Sequence, residues 1–205
     1  MRRKPSDRST VAGGLALLTL RAVLGGSLVG HGAQKLFGSF DGPGLDDTAQ
    51  MFDAKLGLEP EPLMATLAGV NEIGGGALIL AGLGGPIGPA AVIGTMTVAA
   101  RTAHGGKPYF AQMGGPELPI TNIAIATALG LAGFGRFSRD RRHKHDWPVL
   151  TRIAVMAGGF ACGAWIVSRA QQEQATRERA QQPADADAPA TAGNLASERV
   201  RQSAG

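Results

Sequence analysis

The residues most able to do chemistry in this sequence are ionisable side chains that lie inside, or at the ends of, long apolar stretches. An ionisable group within a membrane span is costly to bury, so each such group is a candidate for function. We identify seven of them along the chain: Arg21, His31, Lys35, Glu72, Arg101, His104 and Glu117.

The spacing of these residues predicts that most of them converge. His31 and Lys35 are four residues apart, and Arg101 and His104 are three apart, so each pair shares one helix face. With Glu72 as the buried anion, they predict a polar, net-cationic cavity at the outer side of a helix bundle. Either Lys35 or Arg101 could pair with Glu72.

A purely structural interpretation stays open for the same residues. Lys35, Arg101 and His104 could extend to the lipid headgroups, and Glu72 could pair with one of them to fix helix register. Glu117 stands in the outer loop, at the start of an apolar stretch. Two histidines alone, His31 and His104, are too few to predict a metal site. No catalytic residue can be assigned, because no nucleophile, phosphate-binding or haem-attachment motif is present.

The elements that must position these residues are apolar stretches, each long enough to cross, or nearly cross, a bilayer, which takes about 20 residues. They predict an all-α, polytopic membrane helix bundle with four core transmembrane helices and a fifth at the C-terminal side. A short amphipathic helix is predicted in the acidic segment 39–62, from Leu45, Ala49, Phe52 and Leu56, with Gly57 as its end. The predicted spans are residues 12–37, 63–83, 87–104, 120–134 and 149–167.

Charge patterning predicts the topology. The basic N-terminus and the basic segment 136–145 both belong on the cytoplasmic side by the positive-inside rule, and the acidic segment 39–62 then lies outside. We therefore expect a multi-pass inner-membrane protein whose N-terminus is cytoplasmic and whose first helix is retained rather than cleaved as a signal peptide. Whether the fifth segment crosses, and so which side holds the tail from Arg169, stays open.

The composition of the chain indicates which kinds of partner it can bind. Only 5% of the residues are aromatic, and the basic residues flank apolar stretches, so a lipid bilayer is the expected partner and nucleic acid is not. The single cysteine, Cys162, excludes an internal disulfide and is expected to be a small buried residue. Among 31 glycines, the pairs Gly26/Gly30 and Gly159/Gly163 favour close helix packing within one chain over a homo-oligomer, which stays an alternative.

An ordered set of sequence segments resembles the DoxX family of integral membrane proteins. The resemblance covers residues 20–140, in the expected order and spacing. It departs at Pro116, where the family often has an aromatic residue, and the sequence beyond Asp140 is additional. The segments that carry it are Leu20–Gly25, His31–Gly38, Gly69–Gly76, Met96–His104, Gly114–Pro119 and Gly133–Asp140.

The sequence divides into a cytoplasmic N-terminus (1–11), a DoxX-like four-helix domain (12–140), a basic loop with a fifth helix (141–168) and a tail (169–205) whose composition predicts disorder beyond a short helix. The resemblance applies to the second of these parts. It implies a subunit of a membrane-associated redox complex, linked to quinone or to thiol and sulfur compounds and to oxidative-stress defence. Such a chain would be part of an oxidoreductase rather than a self-sufficient enzyme, with quinone as the implied cofactor and redox enzymes as partners. The implied site for a quinone or small anion comprises His31, Lys35, Glu72, His104 and Glu117.

Two other functions remain open from the residues alone. A non-enzymatic scaffold would dock soluble enzymes through the basic segment 136–145 or through the tail. A small-solute transporter is the third alternative, and the lack of a visible inverted repeat argues against it.

Overall fold

The computed structural model describes residues 10–53, 57, 60–143 and 146–181, and in these residues every regular element is helical. The chain divides into two units, residues 1–171 and 172–205, and the described part of the second, 172–181, is helical. The prediction of an all-α membrane helix bundle is confirmed. Its α-helices are α1 (Val11–Phe37), α2 (Gly44–Met51), α3 (Glu61–Ala81), α4 (Ile87–Thr102), α5 (Glu117–Ala132), α6 (Arg139–Arg142) and α7 (Val149–Gln181).

Three of these helices, α1, α3 and α7, are long and apolar enough to cross a membrane. The helices α4 and α5 have 16 residues each, or about 24 Å of helix against a hydrocarbon core of about 30 Å. Both differ from the predicted bounds: α4 ends at Thr102 rather than at residue 104, and α5 begins at Glu117 rather than at residue 120. The predicted surface helix corresponds to α2, and Leu56 lies outside the described residues.

Glycines let α1 and α3 pack in close contact. A Cβ added at Gly25 would lie 2.6 Å from the carbonyl oxygen of Gly76, and one added at Gly32 would lie 2.6 Å from that of Gly69. Only hydrogen at these positions allows the two backbones to approach so closely. The main apolar core then forms among α1, α3, α4, α5 and α7, from residues Leu24, Leu28, Ile79, Val92, Ile93, Met96, Ala126, Leu129, Phe134 and Met156.

The helix α7 runs along the whole bundle. Near its start the Arg152 guanidinium donates to the Leu131 carbonyl at 3.3 Å, next to the last residue of α5. Toward the other side of the bundle, Ala170 packs in one buried cluster with Phe52 and with Ala65 in the first turns of α3. We call these two sides the α6 end and the α2 end. The fifth predicted segment therefore does traverse the bundle, and α7 stays helical to Gln181, beyond the predicted start of disorder at residue 169.

The two predicted small-residue pairs have different environments. Cβ atoms added at Gly159 and Gly163 would overlap the carbonyl oxygens of Ala90 and Gly94, so this pair seats α7 against α4 within the chain. The other pair, on α1, faces open space.

The Gly26/Gly30 pair and the single cysteine both lie on the surface of the bundle. Cβ atoms added at Gly26 or Gly30 would meet nothing within 4 Å. Cys162 is exposed on α7, so the expectation that it is buried was wrong. Lipid-facing and core-facing positions are both apolar in a membrane helix, and the sequence pattern around a cysteine does not separate them.

Candidate functional site

A buried ion pair joins the two most closely packed helices of the bundle. The Lys35 ammonium, in the last turn of α1, donates to the Glu72 Oε1 atom near the middle of α3. The Lys35 side chain is 25% exposed and that of Glu72 is 4% exposed. Pairing offsets part of the cost of removing both charges from water, and it leaves the site with no net charge.

The helix packing explains why these two side chains meet. The close contacts of Gly32 and Leu36 with Gly69 place Lys35 nearer to the α2 end than Glu72, by about one helical turn of roughly 5 Å. Because side chains on a helix lean toward its N-terminus, Lys35 leans toward the α6 end and Glu72 leans toward the α2 end. In an antiparallel pair the two side chains therefore approach each other.

The second carboxylate oxygen of Glu72 lacks a partner. Among the described residues, Oε2 is the one buried side-chain polar atom that makes no hydrogen bond. Buried polar atoms are nearly always paired, and an unpaired one costs about 1–3 kcal/mol, more when charged. This oxygen is thus a free acceptor, next to a satisfied ion pair, inside a helix that is long and apolar enough to span a membrane.

The short helix α2 covers the adjoining end of the bundle. The hydroxyl oxygen of Thr48, which is buried, lies 2.6 Å from the Gly44 carbonyl oxygen and 3.4 Å from that of Lys35. Phe52 and Ala65 belong to one buried cluster, which anchors α2 on α3. The Lys35 side chain of the pair is partly open, and Thr48 of α2 lies against the backbone of that residue.

Two of the predicted site residues lie apart from this pair. His31 is exposed on α1, where its Nδ1 atom lies 3.0 Å from Gln34 Oε1, one turn along the same helix. Arg101 is exposed in the last turn of α4. Lys35, not Arg101, is thus the partner of Glu72.

Two others organise the loop between α4 and α5. The His104 Nδ1 atom lies 2.7 Å from the Gly114 carbonyl oxygen. Glu117 accepts from the Ala111 amide at 2.8 Å through Oε2, and its own amide donates to the Tyr109 carbonyl at 3.1 Å. The structure therefore does not gather the six predicted residues into one contacting cluster, and their joint role as a ligand site stays a prediction.

Arg21 forms a second buried charged site. The sequence identified this arginine as a candidate for function but did not indicate its partners. The side chain is 2% exposed, and its Nε atom donates to the Ile79 carbonyl at 2.8 Å. One terminal nitrogen donates to Leu80 at 2.5 Å, and the other to Phe134 and Phe137 at 3.3 and 3.4 Å. The guanidinium thus satisfies carbonyls at the end of α3 and in the turn after α5.

Asp140 completes the α6 end, and the sequence analysis missed it. Its carboxylate accepts from the amides of Gly84 and Gly85 at 3.0 and 2.6 Å, and its own amide donates to the Gly82 carbonyl at 3.0 Å. Asp140 is buried, whereas Arg139 and Arg142 beside it are exposed. The signal in the sequence that could have indicated Asp140 is that it is the one acidic residue in the basic segment 136–145.

Metal binding has no support in the described part of the chain, where no group of three or more histidine, cysteine or carboxylate side chains is close enough to hold an ion.

The fold and the buried pair together define a helical membrane protein with a charged, incompletely satisfied site in its interior. The DoxX family model matches residues 16–105, which comprise all but the first five residues of α1, then α2, α3 and α4, and which include both Lys35 and Glu72. This match identifies a DoxX domain in residues 16–105 and supports membership in the DoxX family. Two segments that contributed to the resemblance, 114–119 and 133–140, lie outside the matched range. Neither the curated proteins nor the solved structures gave a significant match.

Proposed function

We propose that this DoxX-family protein is a membrane-embedded subunit of a redox complex, and that it binds the polar head of a quinone at the Lys35–Glu72 pair. Oxidative-stress defence is the role that this assignment implies. The observation that carries the proposal is the unpaired, buried Oε2 atom of Glu72.

A purely structural ion pair would not need that atom to stay unpaired. Helix register could be fixed by the glycine contacts alone, and a buried carboxylate whose second oxygen is unsatisfied lowers stability. A ligand that donates a hydrogen bond to Oε2 would remove this cost. The partial exposure of Lys35 gives a membrane-dissolved molecule a direction of approach from the side of the helix pair.

The electrons in this proposal come from partner enzymes. Cys162 is the single cysteine of the chain, so the chain has no dithiol of its own to oxidise. A quinone bound in the membrane would accept or supply electrons as its own chemistry, while the protein positions its head group. The chain is therefore proposed as a subunit rather than a complete oxidoreductase.

Orientation follows from charge. The exposed arginines of α6 would place the α6 end in the cytoplasm of a bacterial-type inner membrane. The Lys35–Glu72 pair would then lie in the outer half of the bundle, and α7 would carry the chain to the outer side.

A scaffold function is the second candidate, and the α6 end favours it. The carboxylate of Asp140 and the Ser138 cap, which accepts from the Arg141 amide at 3.2 Å, hold α6 in place. Arg139 and Arg142 are exposed there. Such a fixed basic surface suits the docking of an acidic soluble enzyme.

The test compares ligand binding with partner binding. The purified full chain is titrated with a short-chain quinone in both redox states, together with the double variant Lys35→Met/Glu72→Leu, which removes both charges at once. Glu178→Gln serves as the control, because it removes an exposed carboxylate of α7 outside every predicted site. We expect saturable binding by the wild type and by Glu178→Gln, and at least a tenfold loss in the double variant, the loss of one hydrogen bond to a charged group.

Pull-downs from gently solubilised membranes address the alternative. If the wild type binds neither redox state, and co-purifying enzymes are lost only in Arg139→Ser/Arg142→Ser, the protein is a scaffold and the ion pair is structural. If redox enzymes persist in that variant while quinone binding depends on the pair, the ligand-binding proposal stands.

A further inference from the structure

The chemistry of the Lys35–Glu72 site selects among ligands. The pair has no net charge, one N–H of Lys35 is already committed to Oε1, and the unfilled position beside it is an acceptor, Oε2. We infer that the site takes a neutral hydrogen-bond donor, and that, of the two forms of a quinone, it prefers the hydroquinone. This inference rests on the proposed function.

An anionic ligand does not fit the charge balance. Its negative charge would lie against a carboxylate whose counter-charge is already engaged, in a medium of low dielectric constant where like charges repel strongly. A small sulfur anion such as thiosulfate is therefore disfavoured, although the sequence alone left a small anion as an alternative.

An oxidised quinone fits less well than its reduced form. Its two oxygens are carbonyl acceptors, and an acceptor placed against Oε2 leaves that oxygen unpaired. It can still accept from the remaining N–H groups of Lys35, so its binding is weakened rather than abolished. A hydroquinone has two hydroxyl donors, and one of them can satisfy Oε2 directly.

The approach of the ligand is set by Lys35. Oε2 is closed to solvent, whereas a quarter of the Lys35 side chain is exposed, so the hydroxyl must reach the carboxylate past the lysine stem. Lysine has a flexible four-carbon stem with rotatable donors. The stem of Lys35 can change its rotamer while the ammonium group keeps its contact with Oε1.

The decisive variant is Glu72→Gln. The glutamine oxygen can still accept from Lys35, and its NH2 group then replaces Oε2, so the free acceptor becomes a donor of nearly the same shape. The expected result is an inversion of preference. The wild type should bind durohydroquinone more tightly than duroquinone, and Glu72→Gln should bind duroquinone more tightly.

The measurement is equilibrium dialysis of each probe against the full-length protein in lipid nanodiscs, without oxygen. A hydrogen bond to a charged group corresponds to about a tenfold to hundredfold difference in dissociation constant for the wild type. Glu178→Gln, at an exposed position of α7 outside every predicted site, is the matched control and should behave as the wild type. An excess of thiosulfate should not displace durohydroquinone.

Each outcome bears on a different claim. Equal binding of both probes by the wild type, tighter binding of duroquinone, or displacement by thiosulfate overturns the preference for a neutral donor while leaving the ligand site in place. If the wild type binds neither probe, the proposed function itself fails. Should Glu72→Gln not fold, the wild-type comparison of the two probes still decides the inference.

Discussion

Replacing Arg21 with methionine should strongly destabilise the bundle. Methionine has a similar length and suits an apolar surrounding, so the change removes the charge and the donors without creating a large cavity. It leaves carbonyls of Ile79, Leu80, Phe134 and Phe137 without their shared donor at the α6 end. These carbonyls belong to the end of α3 and to the turn after α5, so three segments of the chain lose one common anchor.

The expected destabilisation of Arg21→Met follows from the lengths of the hydrogen bonds that are lost. The two bonds at 2.8 and 2.5 Å count in full, while those at 3.3 and 3.4 Å are long and contribute little. At about 1.5–3 kcal/mol for each hydrogen bond to a charged group, the loss is about 3–6 kcal/mol. Methionine avoids the cost of burying a charge, which offsets part of this loss. We expect a net destabilisation of about 3–4 kcal/mol, or a fall in melting temperature of roughly 10 °C for a chain of this size.

The assay is thermal unfolding of the detergent-solubilised protein, monitored by scanning fluorimetry and by loss of the monodisperse elution peak. The control is Arg142→Met, which removes the same charge from an exposed position in α6. Arg21→Lys should give about half the loss, because an ammonium lacks the planar fork that reaches several carbonyls. If Arg21→Met has the same melting temperature as Arg142→Met, the hydrogen bonds from Arg21 to the carbonyls do not stabilise the bundle.

Two further changes test the packing and the α6 end by the same melting assay. Gly163→Leu should destabilise by about 1–3 kcal/mol, because its Cβ would lie 2.5 Å from the Gly94 carbonyl oxygen, whereas Gly26→Leu faces open space and should be nearly neutral. Asp140→Ala should cost about 3–6 kcal/mol through two lost charge-assisted hydrogen bonds, and Asp146→Ala, at a side chain that is 96% exposed, less than about 1 kcal/mol. Equal melting temperatures within either pair would contradict the corresponding contact.

The helices of the bundle were predictable because a membrane span needs a long apolar run. The first and last residues of the helices were harder to predict. The predicted start of α5 followed Pro119, but proline is tolerated in the first turn of a helix, where its missing N–H has no intrahelical partner, and α5 begins at Glu117. By contrast, α1 ends where predicted, at Phe37, and the capping residue Gly38 has a positive φ of 66°, which glycine adopts at little cost.

The candidate site was predictable only in part. A glutamate in the middle of an apolar stretch requires a partner, and the sequence offered Lys35 and Arg101 as alternatives. The choice depended on which helix glycines bring closest to α3, and that is a property of packing. His104 and Glu117 were placed with them because they lie near the same end. Their actual partners are backbone groups of one loop, and its path is set by turns that a residue pattern does not specify.

The two buried charges of the bundle differ in a way that bears on function. Arg21 distributes its donors over four carbonyls and leaves nothing unsatisfied among the described atoms at its site, which is what stabilisation of a fold requires. Glu72 has one satisfied oxygen and one unsatisfied oxygen. The glycine contacts already bring α1 and α3 together, so the helix packing does not depend on that second oxygen. The unpaired oxygen therefore distinguishes the Glu72 site from the Arg21 site, and it is the feature on which the proposed ligand binding rests.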